Sequence, residues 1–268
     1  MKIKTAWLFF EQSGTFKKAF KSFGIDAIDL DVLNNFGETD LQIDLFSEIE
    51  KAHNGEKSVF DKITKNDLIM AFFPCTYFSA NATINMRGDA YRMSNWNLRK
   101  KIEYSKNKVA EMAHHYSLLC DFVSVCLKRG LRLIIENPYT QPHFLTQRFP
   151  LKPAFIDTDR SLRGDFFRKP TQFFFINCEP ENNFVLKKNA SARKKNIENV
   201  KTDGVHTRQE LRSMISPVYA NRFIREFLLD AKKPAVSREY FFPYATKQER
   251  SEKIFNEKTQ RQLFNEEA

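Results

Sequence analysis

Cys75, in the segment FFPCTYFS, and Glu136, in IIENPY, are the residues whose types and positions suggest chemistry. Each follows an apolar run of strand character, residues 67–74 and 131–135. In open α/β sheets ligands bind beyond the carboxyl ends of the strands, where short loops and helix amino termini converge. If the two strands are neighbours, a thiol and a carboxylate face one cleft. The thiol becomes a useful nucleophile only as its thiolate, a form that nearby cations favour, and Arg87, Arg92, Arg160 and Arg163 are available in loops. A glutamate at a strand end can serve as a general acid if burial raises its pKa. Taken singly, Cys75 reads equally well as a small buried hydrophobe and Glu136 as a salt-bridged acid.

The elements that must position this pair are legible as alternating strands and helices, the pattern of a mostly parallel sheet with crossover helices. Residues 3–10 and 25–30 read as strands, with Phe16, Ala19, Phe20 and Phe23 at helical spacing between them and Gly24 ending that helix. The run 67–74 is continuously apolar between its ends, as a strand buried on both faces requires. Ser94 is placed to cap a long helix whose positions Val109, Met112, Ala113, Tyr116, Leu119, Cys120, Val123 and Cys126 recur every three or four residues, and Gly130 stops it. Strand, helix and strand then make one right-handed crossover. Runs 154–156 and 172–176 are expected at the far side of the sheet with one antiparallel edge. Residues 179–206 form a basic insert, helices return over 207–231, and 232–268 is a charged tail.

These segments, in this order, resemble the cytosine-5 DNA methyltransferase family. FFPCTYFS is similar to its Pro-Cys-Gln catalytic loop, matching at Pro74, Cys75, Phe78 and Ser79 with Thr76 in place of Gln. IIENPY is similar to its Glu-Asn-Val motif through Glu136 and Asn137. FEQSGTFKKAF resembles its glycine-rich cofactor loop at Phe10, Gly14, Phe16, Ala19 and Phe20, with one of the three usual glycines. The resemblance implies a Rossmann-like class I fold dependent on S-adenosylmethionine. Cys75 would add to C6 of the base, Glu136 would hydrogen-bond or protonate N3, and Asn137 would hold the loop. Phe10, Gly14, Phe16, Pro74 and Ser216 would border the cofactor, Asp29, with Asp31 close by, would meet its ribose, and Asp44 its adenine edge. Ser79, Arg87, Arg163 and Lys169 are the candidates for the substrate side. The family's Gln-x-Arg-x-Arg motif has no counterpart in register within RGDFFRKPTQFFF.

Forty-three Lys and Arg against 33 Asp and Glu give a net charge of +10, which favours a polyanionic partner, most simply DNA. The recognition region, reduced to the basic insert, is too short to read many bases and leaves RNA or a free pyrimidine nucleotide open as substrates. A noncatalytic binding protein that keeps the fold is the remaining alternative. Four cysteines without a C-x-x-C pair suggest neither a disulfide scaffold nor a zinc site, and adjacent His114 and His115 point in different directions on a helix. The apolar stretch 6–10 is too short for a signal peptide or a membrane span. The expectation is a cytoplasmic monomer that uses no metal.

Overall fold

The computed structural model describes residues 1–181 and 204–229. Seven strands, β1 (Thr5–Phe9), β2 (Asp26–Asp31), β3 (Leu41–Gln42), β4 (Leu68–Ala71), β5 (Arg132–Pro138), β6 (Phe155–Asp157) and β7 (Thr171–Ile176), form one sheet ordered β3-β2-β1-β4-β5-β7-β6. The pairs among β1 to β5 are parallel, whereas β7 runs antiparallel to both β5 and β6. This is an α/β architecture compatible with a Rossmann-like fold. The far side of the sheet is antiparallel, as expected from sequence, with the reversed strand one place in from the edge. β7 carries TQFFFI, buried at five of six positions, and so needs neighbours on both sides; the three-residue β6, with Ile156 exposed, takes the edge.

Alternation along the strands divides the core in two. Trp7, Phe9, Ile69, Ala71, Leu133 and Ile135 face α2 (Leu45–His53) and α4 (Leu98–Arg129), packing with Ile49, Leu118 and Phe122. Leu8, Met70, Ile134 and Phe173 face α1 (Thr15–Ser22) and α7 (Pro217–Phe223), packing with Phe16, Phe20 and Phe223. The unbroken apolar run of β4 is therefore shared between two layers of helix. Each fully buried phenylalanine contributes about 1.5–3 kcal/mol by leaving water, and the ring contacts span both faces of the sheet.

Three further α-helices are found among the described residues: α3 (Ala80–Met86), α5 (Phe144–Arg148) and α6 (Arg208–Ser213). α7 runs on into a π-helical turn, Ile224–Leu228. The amino terminus reaches this turn, donating to Glu181 Oε1 at 2.7 Å and to the Leu228 carbonyl at 2.6 Å.

The long helix departs from its expected form at one end. Its cap is Asn97, whose side chain accepts from Lys100 N at 2.9 Å; Ser94 instead follows a 3-10 turn, Tyr91–Met93. Gly130 ends it in the left-handed conformation with φ 65°. Leu118 is the first fully buried residue; of the twenty positions before it, roughly 30 Å of helix, only the last turns reach the core, through partly buried Met112 and Tyr116. Val109, assigned to the core face from periodicity, is exposed, as are Leu98 and Ile102. The repeat simply continues beyond the edge of the sheet.

Most of the basic insert, residues 182–203, and the tail from residue 230 lie outside the described residues. Among the described residues no helix is long and apolar enough to cross a membrane, and no group of three or more His, Cys, Asp or Glu could hold a metal ion.

Candidate active site

β4 and β5 are paired in parallel, with Ala71 opposite Ile135, so the segments that leave them emerge side by side. Cys75 follows β4 after Phe72, Phe73 and Pro74, while Glu136 is still within β5. Both line one cavity of about 640 Å³, together with Pro74 and Lys169. Burial pushes the Cys75 thiol up from its ordinary pKa; the Lys169 charge opposes that rise and the Glu136 charge adds to it. Lys169 is the cation that borders the thiol. The Cys75 carbonyl accepts from Phe78 N and Ser79 N, which turns the chain into α3.

Alternation on β5 sends Glu136 and Asn137 to opposite faces of the sheet. Asn137, fully buried, donates to the Phe73 carbonyl at 2.8 Å and so fastens β5 to the segment just before Cys75. Glu136 meets Arg160, whose Nη1 lies 3.4 Å from Oε1. Arg160 is wholly buried, grips Asp165 through Nε and Nη2, donates to Thr171 Oγ1 at 3.3 Å and stacks 5.1 Å from the Tyr219 ring centroid. Sequence reasoning sought arginines at the family's spacing and missed this role for Arg160. The available signal was DTDRSLRGD, two arginines three apart among three acids, on a 3-10 helix (Arg160–Arg163) that aligns i with i+3.

The far end of the cavity is built where β1 and β2 end. Phe10 lines it with φ 60°, a conformation rare for a residue with a side chain, held by its N–H donating to the Leu30 carbonyl at 2.9 Å. Glu11 turns inward, and its Oε1 caps α1 by accepting from Thr15 N at 2.8 Å. Phe16 also lines the cavity. Gly14 does not; it is the α1 cap with φ 67°, and a Cβ there would lie 2.8 Å from the Glu38 side chain. Asp29 is fully buried behind Glu11, and burial together with the Glu11 charge raises its pKa to about 10, so the pair shares a proton. The carboxylate that reaches the cavity on this strand is Asp31. Asp44 lines it as well while capping α2 through Phe46 N at 3.0 Å.

Other expected residues stand apart from the cavity. Arg163 is buried in an ion pair with Asp157 at 2.6 Å, and Arg87 pairs with Asp89 at the surface. Ser79 caps α3 and Ser216 caps α7, so neither hydroxyl lines the cavity. In place of Ser216, the preceding residues Ser213, Met214 and Ile215 form the wall, and Gln209 of α6 reaches Thr76 Oγ1 at 3.5 Å across the mouth. The four cysteines are free.

The volume lies within the range of small-ligand sites, ~300–1,000 Å³. Gln12 Oε1 is a buried acceptor without a hydrogen-bond partner in its lining, next to the Glu11 carboxylate. Orphaned acceptors call for a donor. An ammonium-bearing, cationic nucleoside meets that need, with Asp31 available to hydroxyls and Phe10 and Phe46 to a flat ring. The residues present therefore fit S-adenosylmethionine. No protein-family model and no curated protein matches the chain, so the reading of this site rests on its geometry and on the motif resemblance.

Proposed function

We propose that the chain is an S-adenosylmethionine-dependent methyltransferase acting on carbon-5 of cytosine in DNA. The observation that carries this reading is the shared cavity of Cys75 and Glu136 at the ends of paired parallel strands, with Lys169 beside them. Carbon-5 of cytosine is a poor nucleophile until the ring is activated. Addition of the Cys75 sulfur to C6, with Glu136 hydrogen-bonding or protonating N3, supplies that activation and divides one hard step into easier ones. Arg160 is the positioning residue for Glu136, and Asn137 for the loop that bears Cys75. S-adenosylmethionine, when bound, supplies the electrophilic methyl group; Glu11, Gln12 and Asp31 are the residues that would hold it. A duplex substrate would have to release its base from the stack to reach the cavity.

The test is incubation with labelled S-adenosylmethionine and DNA that contains 5-fluorocytosine, followed by mass analysis for a protein–DNA adduct. The expected result is a covalent adduct with the native chain and none with Cys75→Ala. Absence of cofactor binding, or equal transfer by Cys75→Ala, overturns the reading. Parallel reactions with RNA and free nucleotide decide the polymer, which the short recognition region leaves open. The burial that raises the Cys75 pKa favours a second reading, a noncatalytic cofactor- or nucleic-acid-binding protein, which predicts binding without any adduct.

A further inference from the structure

Beyond the sheet, the first turns of α4 and the segment before it carry a charge pattern that the fold does not use. Residues 87–111 contain seven basic and three acidic side chains. The three acids are each engaged, Asp89 with Arg87, Glu103 with Arg99 and Glu111 with Lys108. Arg92, Lys100, Lys101 and Lys106 have no ion-pair partner among the described residues.

Most of this charge lies on one strip, interleaved with rings. Lys100, Lys101, Tyr104 and Lys108 recur at spacings of one, three and four residues, which sets them on one side of the helix. Lys100 Nζ lies 4.3 Å from the Trp96 ring centroid, and Trp96 meets Tyr104 edge-on at 5.4 Å. Arg92 donates to Tyr104 Oη at 3.1 Å. Lys108 Nζ stands 5.6 Å from the Tyr104 ring and 5.5 Å from that of Tyr77. Tyr77, two residues beyond Cys75, packs on His115 at 4.3 Å, and His115 meets Phe46 of the cavity wall at 5.3 Å. Cations and aromatic rings thus alternate along roughly 20 Å of helix and end at the cavity mouth. Tyr91, beside Arg92, is 96% exposed.

We propose that this strip is the track for a single-stranded nucleic acid, with phosphates on Arg92, Lys100 and Lys101, a base against Tyr91, and the strand led toward Cys75. The inference rests on the methyltransferase reading for its direction but not for its binding. Basic tracks interleaved with rings suit single strands, since every base offers a face to stack while its phosphates meet the cations. A duplex keeps those faces covered.

The experiment measures anisotropy of a labelled single-stranded oligodeoxynucleotide of about 16 residues, and of its duplex, against the full chain over a range of salt. Three variants are compared: Arg92→Gln/Lys100→Gln/Lys101→Gln on the strip, Arg99→Gln/Lys106→Gln off it, and Tyr91→Ala. The strip variant should bind the single strand about tenfold more weakly and lower the salt slope by roughly two, since each lost phosphate contact removes ~0.7. The off-strip variant should match the native chain. Tyr91→Ala should weaken binding roughly tenfold with the slope unchanged, as loss of one stacked base predicts. Equal losses on and off the strip, or tighter and equally sensitive duplex binding, would overturn the proposal. S-adenosylmethionine binding is measured on the same samples. A chain that binds cofactor but no single strand refutes the strip alone; one that binds the strand through the strip but no cofactor refutes the methyltransferase reading alone.

Discussion

Cys75 stands between opposed influences, burial and Glu136 that hold its proton and Lys169 that loosens it. Replacing Lys169 by Met removes the loosening charge, so less thiolate is present at a given pH. Alkylation of Cys75 at pH 8 should slow severalfold in Lys169→Met, and an unchanged rate would deny Lys169 that part. Asp29 offers a second test by titration. Its folded pKa, about 10, exceeds the ordinary 3.8, so the folded chain holds a proton that the unfolded chain releases. The stability from this group is complete below about pH 4 and is lost as pH rises toward 10. Asp29→Asn can still donate to Glu11 and does not titrate; its thermal midpoint should gain on that of the native chain between pH 5 and 9. A constant difference would refute the shared proton. Asp29 and Asp31 also mark a limit of sequence reading. They lie on the same face of β2, so alternation treats them alike, and which one reaches the cavity depends on where the strand stops against its neighbours.

Elements announced by strong local physics were legible: the two-faced apolar run of β4, the apolar run that opens β5, though that strand continues past Glu136 to Pro138, and the Gly130 stop of α4. Capping was harder to read, because Ser94 and Asn97 are both competent and tertiary context selects between them. Asp44, a candidate for the adenine edge, lines the cavity and also caps α2, an element that periodicity did not bring out. The 3-10 turn that carries Arg160 escaped because Glu136, which it meets, lies 24 residues earlier on β5. α5 has an unusual cap, His143 Nδ1, which accepts from Leu145 N at 3.3 Å. Burial lowers the His143 pKa from 6.5 to about 4. The folded chain thus resists a proton that the unfolded chain accepts, so the associated stability is complete above pH 6.5 and is lost as pH falls toward 4. His143→Asn keeps an acceptor and does not titrate. Its midpoint should fall less than that of the native chain from pH 7 to 4.5, and equal falls would show that the cap does not couple to acid.

At the scale of the molecule, the helices of residues 207–229 pack in the same core cluster as the sheet. Phe223 of α7 meets Phe173 at 4.7 Å, Phe227 at 5.3 Å and Phe16 at 6.1 Å, joining the last described helix to the first. Phe223→Ala should cost about 3–5 kcal/mol while leaving a single unfolding transition. A separate early transition in calorimetry would instead make the return helices an appendage. The opposite arrangement holds at the start of α4, where the turns before Met112 run past the core. Those turns can be lengthened by whole turns or rewritten at little thermodynamic cost, since no cavity opens when an exposed side chain changes. The reach of the molecule is therefore an adjustable quantity, separable from its stability, and a designer could extend or shorten that arm without renegotiating the sheet beneath it.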